Sequence, residues 1–121
     1  MAAPFKPCGQ TVLANVASST ATVYVNSNQP VGSWFVTNAG STDVFFRIST
    51  NAAVTATIPV TSGTSAPGQL INAGDSYIIS LPSADAGGTN AFVTNVAIAS
   101  VTSTGTSQLF ITPVITTLQP N

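Results

Sequence analysis

Few side chains in this sequence could carry out acid–base or nucleophilic chemistry. The 121 residues include no histidine, so there is no imidazole to act as a general base, to activate a nucleophile or to bind a metal. The three carboxylates, Asp43, Asp75 and Asp85, are separated in the sequence, and each lies in or beside a turn cluster. Asp commonly accepts hydrogen bonds in such turns. We therefore predict no catalytic residues, no bound cofactor and a protein that is not an enzyme.

The pattern of residues does not indicate a metal or phosphate site either. Calcium takes about six to eight oxygen ligands, and Asp75 and Asp85 do not have the spacing of an ion-binding loop. Gly87-Gly88 lacks the strand-to-helix context that a phosphate-binding loop requires. Cys8 is the single cysteine and cannot form an internal disulfide. We predict no metal site.

Charge is unusually scarce, and this limits the partners. Charged residues make up 4% of the chain, against about a quarter in ordinary soluble proteins. A basic surface for nucleic acid or for a membrane is therefore not expected. The first residues lack the apolar stretch of a signal peptide, and no run approaches the ~20 apolar residues of a membrane span, so we expect synthesis in a cytoplasm. A surface with so little charge resists association poorly, which favours a homo-oligomer, either a trimer or a dimer.

The residue pattern predicts that the secondary structure of this chain consists of β-strands. The chain has no glutamate, and Val, Ile and Thr recur in short runs between Gly, Pro, Asn and Ser clusters, as in all-β sandwiches and barrels. We predict strands at Thr11–Val16, Thr22–Val25, Ser33–Thr37, Val44–Ser49, Ala53–Ile58, Gln69–Ile71, Ser76–Leu81, Ala91–Val101 and Gln108–Thr112. Short connections predict antiparallel pairing of consecutive strands. The fold class is a single-domain antiparallel β-sandwich, jelly-roll-like, over residues 11–113, with an N-terminal arm (1–10) and a C-terminal tail (114–121).

Alternation along the strands predicts which side chains point into the core. Phe46 shares a face with Val44 and Ile48, whereas Phe45 points the other way. Phe35 and Phe110 also fall on the side that should be wetter. Either both sides of these strands are covered within one sandwich, or these aromatic residues form a contact with another protein. The second interpretation makes Phe35, Phe45 and Phe110 candidate interface residues, together with Phe5 and Pro7 of the Pro-rich arm.

Several segments together resemble a known family. They are Phe35-Val36-Thr37-Asn38-Ala39-Gly40, Asp43-Val44-Phe45-Phe46-Arg47-Ile48, Ile71-Asn72-Ala73-Gly74-Asp75-Ser76-Tyr77 and Thr104-Gly105-Thr106-Ser107-Gln108-Leu109-Phe110-Ile111-Thr112. This succession of turns and strands resembles small β-rich virion proteins of tailed bacteriophages. The resemblance implies a capsid decoration, or cement, protein on the virion surface, with the major capsid protein as its partner.

The sequence leaves two other functions open. The first is a carbohydrate- or receptor-binding β-sandwich module on a virion or cell surface, with Trp34 as a possible sugar-stacking platform. The second is a hydrolase, which the absence of histidine and glutamate makes the weakest hypothesis.

Overall fold

The computed structural model of this chain describes residues 5–7, 9–59, 62–65, 68–80 and 93–116. These residues form nine β-strands, and no helix occurs within the described ranges. The strands are β1 (Phe5–Pro7), β2 (Val12–Val16), β3 (Ala21–Val31), β4 (Ser33–Asn38), β5 (Val44–Ser49), β6 (Gln69–Ile71), β7 (Ser76–Ser80), β8 (Val93–Thr102) and β9 (Ser107–Thr116). The predicted all-β fold is confirmed.

The strands form two antiparallel sheets packed against each other. In sheet I the order is β2–β9–β4–β7, and β1 pairs with β9 beyond the end of β2. In sheet II the order is β3–β8–β5–β6. Two packed antiparallel sheets between which the chain crosses at most connections are the arrangement of a jelly roll. The predicted jelly-roll-like sandwich is therefore confirmed.

The expected pairing of consecutive strands is wrong for most of the chain. Among the described strands, β5 and β6 are the only consecutive ones that pair with each other. Other pairs join distant segments, as where Val12 lies opposite Ile111. Turn residues specify that the chain reverses, but they do not decide whether the returning strand lies beside its predecessor or across the core from it.

The core lies between the two sheets and follows the predicted alternation. Trp34 and Leu109 face inward from sheet I, and Phe46 and Ile98 face inward from sheet II, with no more than 1% of any of these side chains exposed. Tyr77 also packs against this core, from β7. Burial of these apolar side chains is the main source of stability.

One polar side chain is buried where β4 ends. Asn38 is completely buried, and its amide nitrogen donates to the carbonyl oxygens of Thr42 (2.9 Å) and Ile71 (3.1 Å). Its amide oxygen accepts from the Ser107 hydroxyl (2.6 Å) and the Gly40 N–H (3.2 Å). A buried amide is tolerated when its hydrogen bonds are complete. Asn38 thus joins the end of β4 to β6 and β9.

The strand predicted at Ala53–Ile58 is absent. Residues 51–58, which we call the strap, have no regular secondary structure and cross the outer surface of sheet II. The strap is held by side-chain hydrogen bonds, from the Ala56 N–H to the Thr20 hydroxyl (3.2 Å) and from the Thr22 hydroxyl to the Val54 carbonyl (3.3 Å). Val54 and Ala56 of the strap are buried. They pack on the outer surface of sheet II, and the segment that carries them is not a strand of that sheet.

The sheets extend into both predicted terminal segments. Phe5 lies opposite Thr116 and Pro7 opposite Val114, so β1 and the end of β9 form a short antiparallel pair. Residues 1–4, 8 and 117–121 of the predicted arm and tail lie outside the described part of the chain.

Candidate interaction face

The outer surface of sheet I, which we call face I, carries four large apolar side chains. Leu13 lies directly opposite Phe110 across β2 and β9, and Phe35 lies opposite Ile78 across β4 and β7. Phe35 is also opposite Thr112, two residues beyond Phe110 on the same side of β9. Phe35 and Phe110 are therefore diagonal neighbours, about 7–8 Å apart. Leu13 is 43% and Phe110 37% exposed, while the other two are half-buried.

Hydroxyl and amide groups surround these apolar side chains. Paired side chains on face I are in contact at Thr11 and Thr112 (2.6 Å between hydroxyl oxygens), Thr37 and Ser76 (3.0 Å), and Asn15 and Gln108 (3.5 Å). None of these residues is charged. An apolar centre with a polar, uncharged rim matches the anatomy of protein interfaces, whose centres are depleted in charged residues.

The structure brings together two of the predicted interface residues and places a third nearby. Phe35 and Phe110 share face I, as their strand phases predict. Pro7 is exposed and lies opposite Val114 at the edge of the same sheet. Phe5 is in β1 opposite Thr116, and its side chain lies outside the described part of the structure.

Phe45 is not part of face I. It points outward from sheet II, as predicted, but the strap covers it and only 8% of its side chain is exposed. There it packs with Val54, Ala97 and Val101 in a second, smaller core. The interpretation of Phe45 as an exposed anchor is therefore wrong, because a segment of the same chain covers it.

Two residues of face I were not singled out from the sequence. Leu13 lies between Val12 and Ala14, so this strand is apolar on both sides, and Ile78 lies between two serines on the wetter side of β7. The signal in both cases is a large apolar residue in the outward phase. Phe45 gives the same signal, so strand phase alone cannot separate an exposed face from a covered one.

The residues considered for chemistry have structural roles or are exposed. An oxygen of the Asp43 carboxylate accepts a hydrogen bond from the Ala73 N–H (3.0 Å), so this side chain supports a turn. Asp75 is exposed, and Asp85 and Cys8 lie outside the described residues. Trp34 is 1% exposed and cannot be a sugar platform. The described residues contain no cluster of three or more potential metal ligands.

The described residues also include no helix that is long and apolar enough to cross a membrane.

Comparison with known proteins identifies a fold and not a family. No protein-family model matches this sequence, and no curated protein matches it. A crystal structure of PirA aligns with 87% of this chain and 93% of its own, with a TM-score of 0.50 and 15% sequence identity. At this identity the likeness concerns the fold alone. The chain shares a two-sheet β architecture with PirA, and its function must be argued from its own residues.

Proposed function

We propose that this protein is a non-catalytic virion structural protein that binds an assembled protein shell through face I. The observation that carries the proposal is the set of exposed apolar side chains on this face, with Leu13 and Phe110 at 43% and 37% exposure, within an uncharged hydroxyl and amide rim. The resemblance of the turn and strand pattern to small phage virion proteins supports a capsid decoration, or cement, protein. Its partner is then the major capsid protein.

Binding of this kind rests on apolar burial. Removing apolar surface from water contributes about 25 cal/mol per Å², and aromatic side chains near the centre of an interface often dominate its energy. Phe110 and Phe35 lie in the two middle strands of sheet I, β9 and β4. The rim hydroxyls and amides can both donate and accept hydrogen bonds, so they can pair with backbone groups of a shell subunit.

Shell stabilisation follows from mass action. A protein that binds only the assembled shell raises the apparent stability of that shell by RT ln(1 + [L]/Kd). A dimer or trimer would present face I more than once, and linked sites raise the overall affinity without new contacts. A homo-oligomer on the outer surface of the capsid is the arrangement that suits this mechanism.

The alternative is a carbohydrate- or receptor-binding module. Trp34 is buried and no longer supports it, whereas the exposed ring of Tyr24 does. The two activities would use different surfaces of the sandwich.

The test is to measure binding to expanded heads of tailed phages that have been stripped of their decoration proteins. We expect Phe110→Ser and Leu13→Ser each to weaken binding by at least about tenfold, as hot-spot residues do. Leu70→Ser is the matched control, because Leu70 is a similarly exposed apolar residue (45%) on the edge strand β6 of the other sheet.

Measuring the same binding at two salt concentrations tests whether charges contribute to it. Because the described side chains of face I are uncharged, affinity should change less than about threefold between about 50 and 500 mM salt, a range over which exposed charge contacts are strongly screened. The proposal fails if no head preparation binds the protein. It also fails if Phe110→Ser and Leu13→Ser bind like the wild type while salt abolishes binding.

A further inference from the structure

A concave surface lies at the side of the sandwich, where the edge strands β2 and β3 of the two sheets come together. Its volume is about 220 Å³. The side chains that line it are uncharged: Gln10, Val12, Tyr24, Asn26, Ser27 and Asn28. We call it the edge cleft. It shares none of its lining residues with the apolar patch of face I.

Tyr24 is the most exposed large apolar side chain among the described residues, at 56%. It points outward from sheet II opposite Ala97, and its hydroxyl donates a long hydrogen bond to the Ala52 carbonyl of the strap (3.4 Å). Ala97 itself is buried under the strap, and the hydrogen bond to the strap restrains the end of the Tyr24 ring. An aromatic ring so exposed offers an apolar surface next to a polar tip.

Amide side chains surround this ring. Asn26 lies two residues from Tyr24 on the same strand, and Gln10 and Asn28 complete the wall; all three are exposed. Each amide offers both hydrogen-bond donors and acceptors. The Ser27 hydroxyl is already used, since it donates to the Gln29 carbonyl (2.7 Å) and thereby holds the end of β3.

This combination of groups suits a sugar ring. A pyranose has one face of C–H groups, which can pack on an aromatic ring, and an edge of hydroxyls, each of which donates and accepts. The cleft volume of about 220 Å³ is far above the ~10–15 Å³ that a single water needs, so a group the size of one monosaccharide unit can enter it. The absence of charge among the six lining residues favours a neutral sugar over a sialylated or sulfated one, because an anion would lose its hydration without gaining a cation.

We propose that the edge cleft binds a neutral hexose or N-acetylhexosamine unit of a glycan. Tyr24 packs against the sugar ring, and Gln10, Asn26 and Asn28 hydrogen-bond to its hydroxyls. This activity goes beyond shell attachment and leaves face I free for the shell. With one aromatic platform in a shallow site, the affinity for a single sugar is in the millimolar range, about −4 kcal/mol.

The experiment is a two-dimensional NMR titration of the full chain that includes the side-chain NH₂ signals. The probes are the methyl glycosides of galactose, glucose, mannose, N-acetylglucosamine and N-acetylgalactosamine, added to about 50 mM so that millimolar sites saturate. We expect at least one probe to give saturable shifts at Tyr24 and at the NH₂ groups of Asn26 and Asn28. N-acetylneuraminic acid and glucuronic acid, at the same concentrations, should give none.

Variants separate the ring from the rest of the site. Tyr24→Ala should weaken binding of the responsive sugar at least about tenfold, the equivalent of 1.4 kcal/mol, whereas Tyr24→Phe keeps the ring and should stay within about threefold of the wild type. Asn26→Ala combined with Asn28→Ala tests the amides and should also lower affinity; these exposed positions keep the test usable if Tyr24→Ala does not fold. Phe110→Ser, on face I, should bind the sugar like the wild type.

The proposal is overturned if none of the five neutral sugars gives saturable shifts, or if binding is unchanged in Tyr24→Ala or in the double Asn variant. A stronger response to the acidic sugars than to the neutral ones would also overturn it. Failure of the capsid-binding test would leave this result untouched, because that test depends on Leu13 and Phe110.

Discussion

The outer surfaces of the two sheets both carry apolar side chains, but these side chains are buried on one sheet and exposed on the other. On sheet II the outward side chains Phe45, Ala97, Ala99 and Val101, which we call face II, are buried under the strap. On face I, Leu13 and Phe110 remain substantially exposed. Both sheets therefore carry apolar residues on two sides, and the chain covers one of these outer surfaces with its own segment. The other keeps exposed apolar side chains among the residues that the structure describes.

Side-chain size explains why the strap can lie on face II. Ala97 and Ala99 are adjacent outward positions on the central strand β8, between β5 and the edge strand β3, and their side chains are small. Val54, Ala56 and Ile58 of the strap pack there. The corresponding outward positions of β9 on face I are Gln108, Phe110 and Thr112, whose side chains are larger and stand above the sheet.

Replacing the aromatic residue on each face should give the largest contrast. Phe45→Ala removes a buried ring from beneath the strap, and we expect a loss of about 3–5 kcal/mol in the free energy of unfolding. Phe110→Ala removes an exposed ring and should cost less than about 1 kcal/mol. Urea denaturation of the two variants measures both values. Equal losses would show that the two outer faces do not differ in the way described.

Enlarging a side chain beneath the strap should have an intermediate effect. Ala99 is completely buried, so Ala99→Leu must displace the strap or strain the sheet, at about 1–3 kcal/mol. Gln108→Leu adds an apolar side chain at an exposed outward position of the central strand β9 and should change stability by less than about 0.5 kcal/mol.

Thermal denaturation of both variants, with hydrogen exchange of the Ala56 N–H, tests this expectation. That N–H is bonded to the Thr20 hydroxyl, so faster exchange in Ala99→Leu reports that the strap has lifted. A stable Ala99→Leu variant with unchanged exchange would contradict the packing described for face II.

Removing one hydroxyl from each face should have the smallest effect. Thr22→Val deletes the part-buried hydrogen bond to the Val54 carbonyl of the strap and should cost about 0.5–1.5 kcal/mol. Thr11→Val deletes an exposed hydroxyl contact with Thr112 on face I, where water can replace the lost partner, and should cost less. Differential scanning calorimetry of the two variants measures both losses of stability. A larger loss for Thr11→Val than for Thr22→Val would contradict the conclusion that the strap covers sheet II and that face I is exposed.

Part of this structure follows from local physics that the sequence expresses directly. Val44–Ser49 and Gln69–Ile71 are strands with the predicted bounds, because β-branched and aromatic runs between turn residues favour extended backbone. The inward phase of Phe46 and the outward phases of Phe35, Phe45 and Phe110 are likewise correct. Side-chain alternation is a property of each strand alone, so it needs no knowledge of the partner strand.

What the sequence by itself determined is therefore the β class, most strand positions and the alternation of side chains along strands such as Val44–Ser49. Only the tertiary structure decided that β2 pairs with β9, that Ala53–Ile58 is a strap and not a strand, and that Phe45 is covered while Phe110 is exposed. Each of these outcomes depends on segments far apart in the chain. Strand phase states which way a side chain points, and only the packing of the whole chain decides what lies above it.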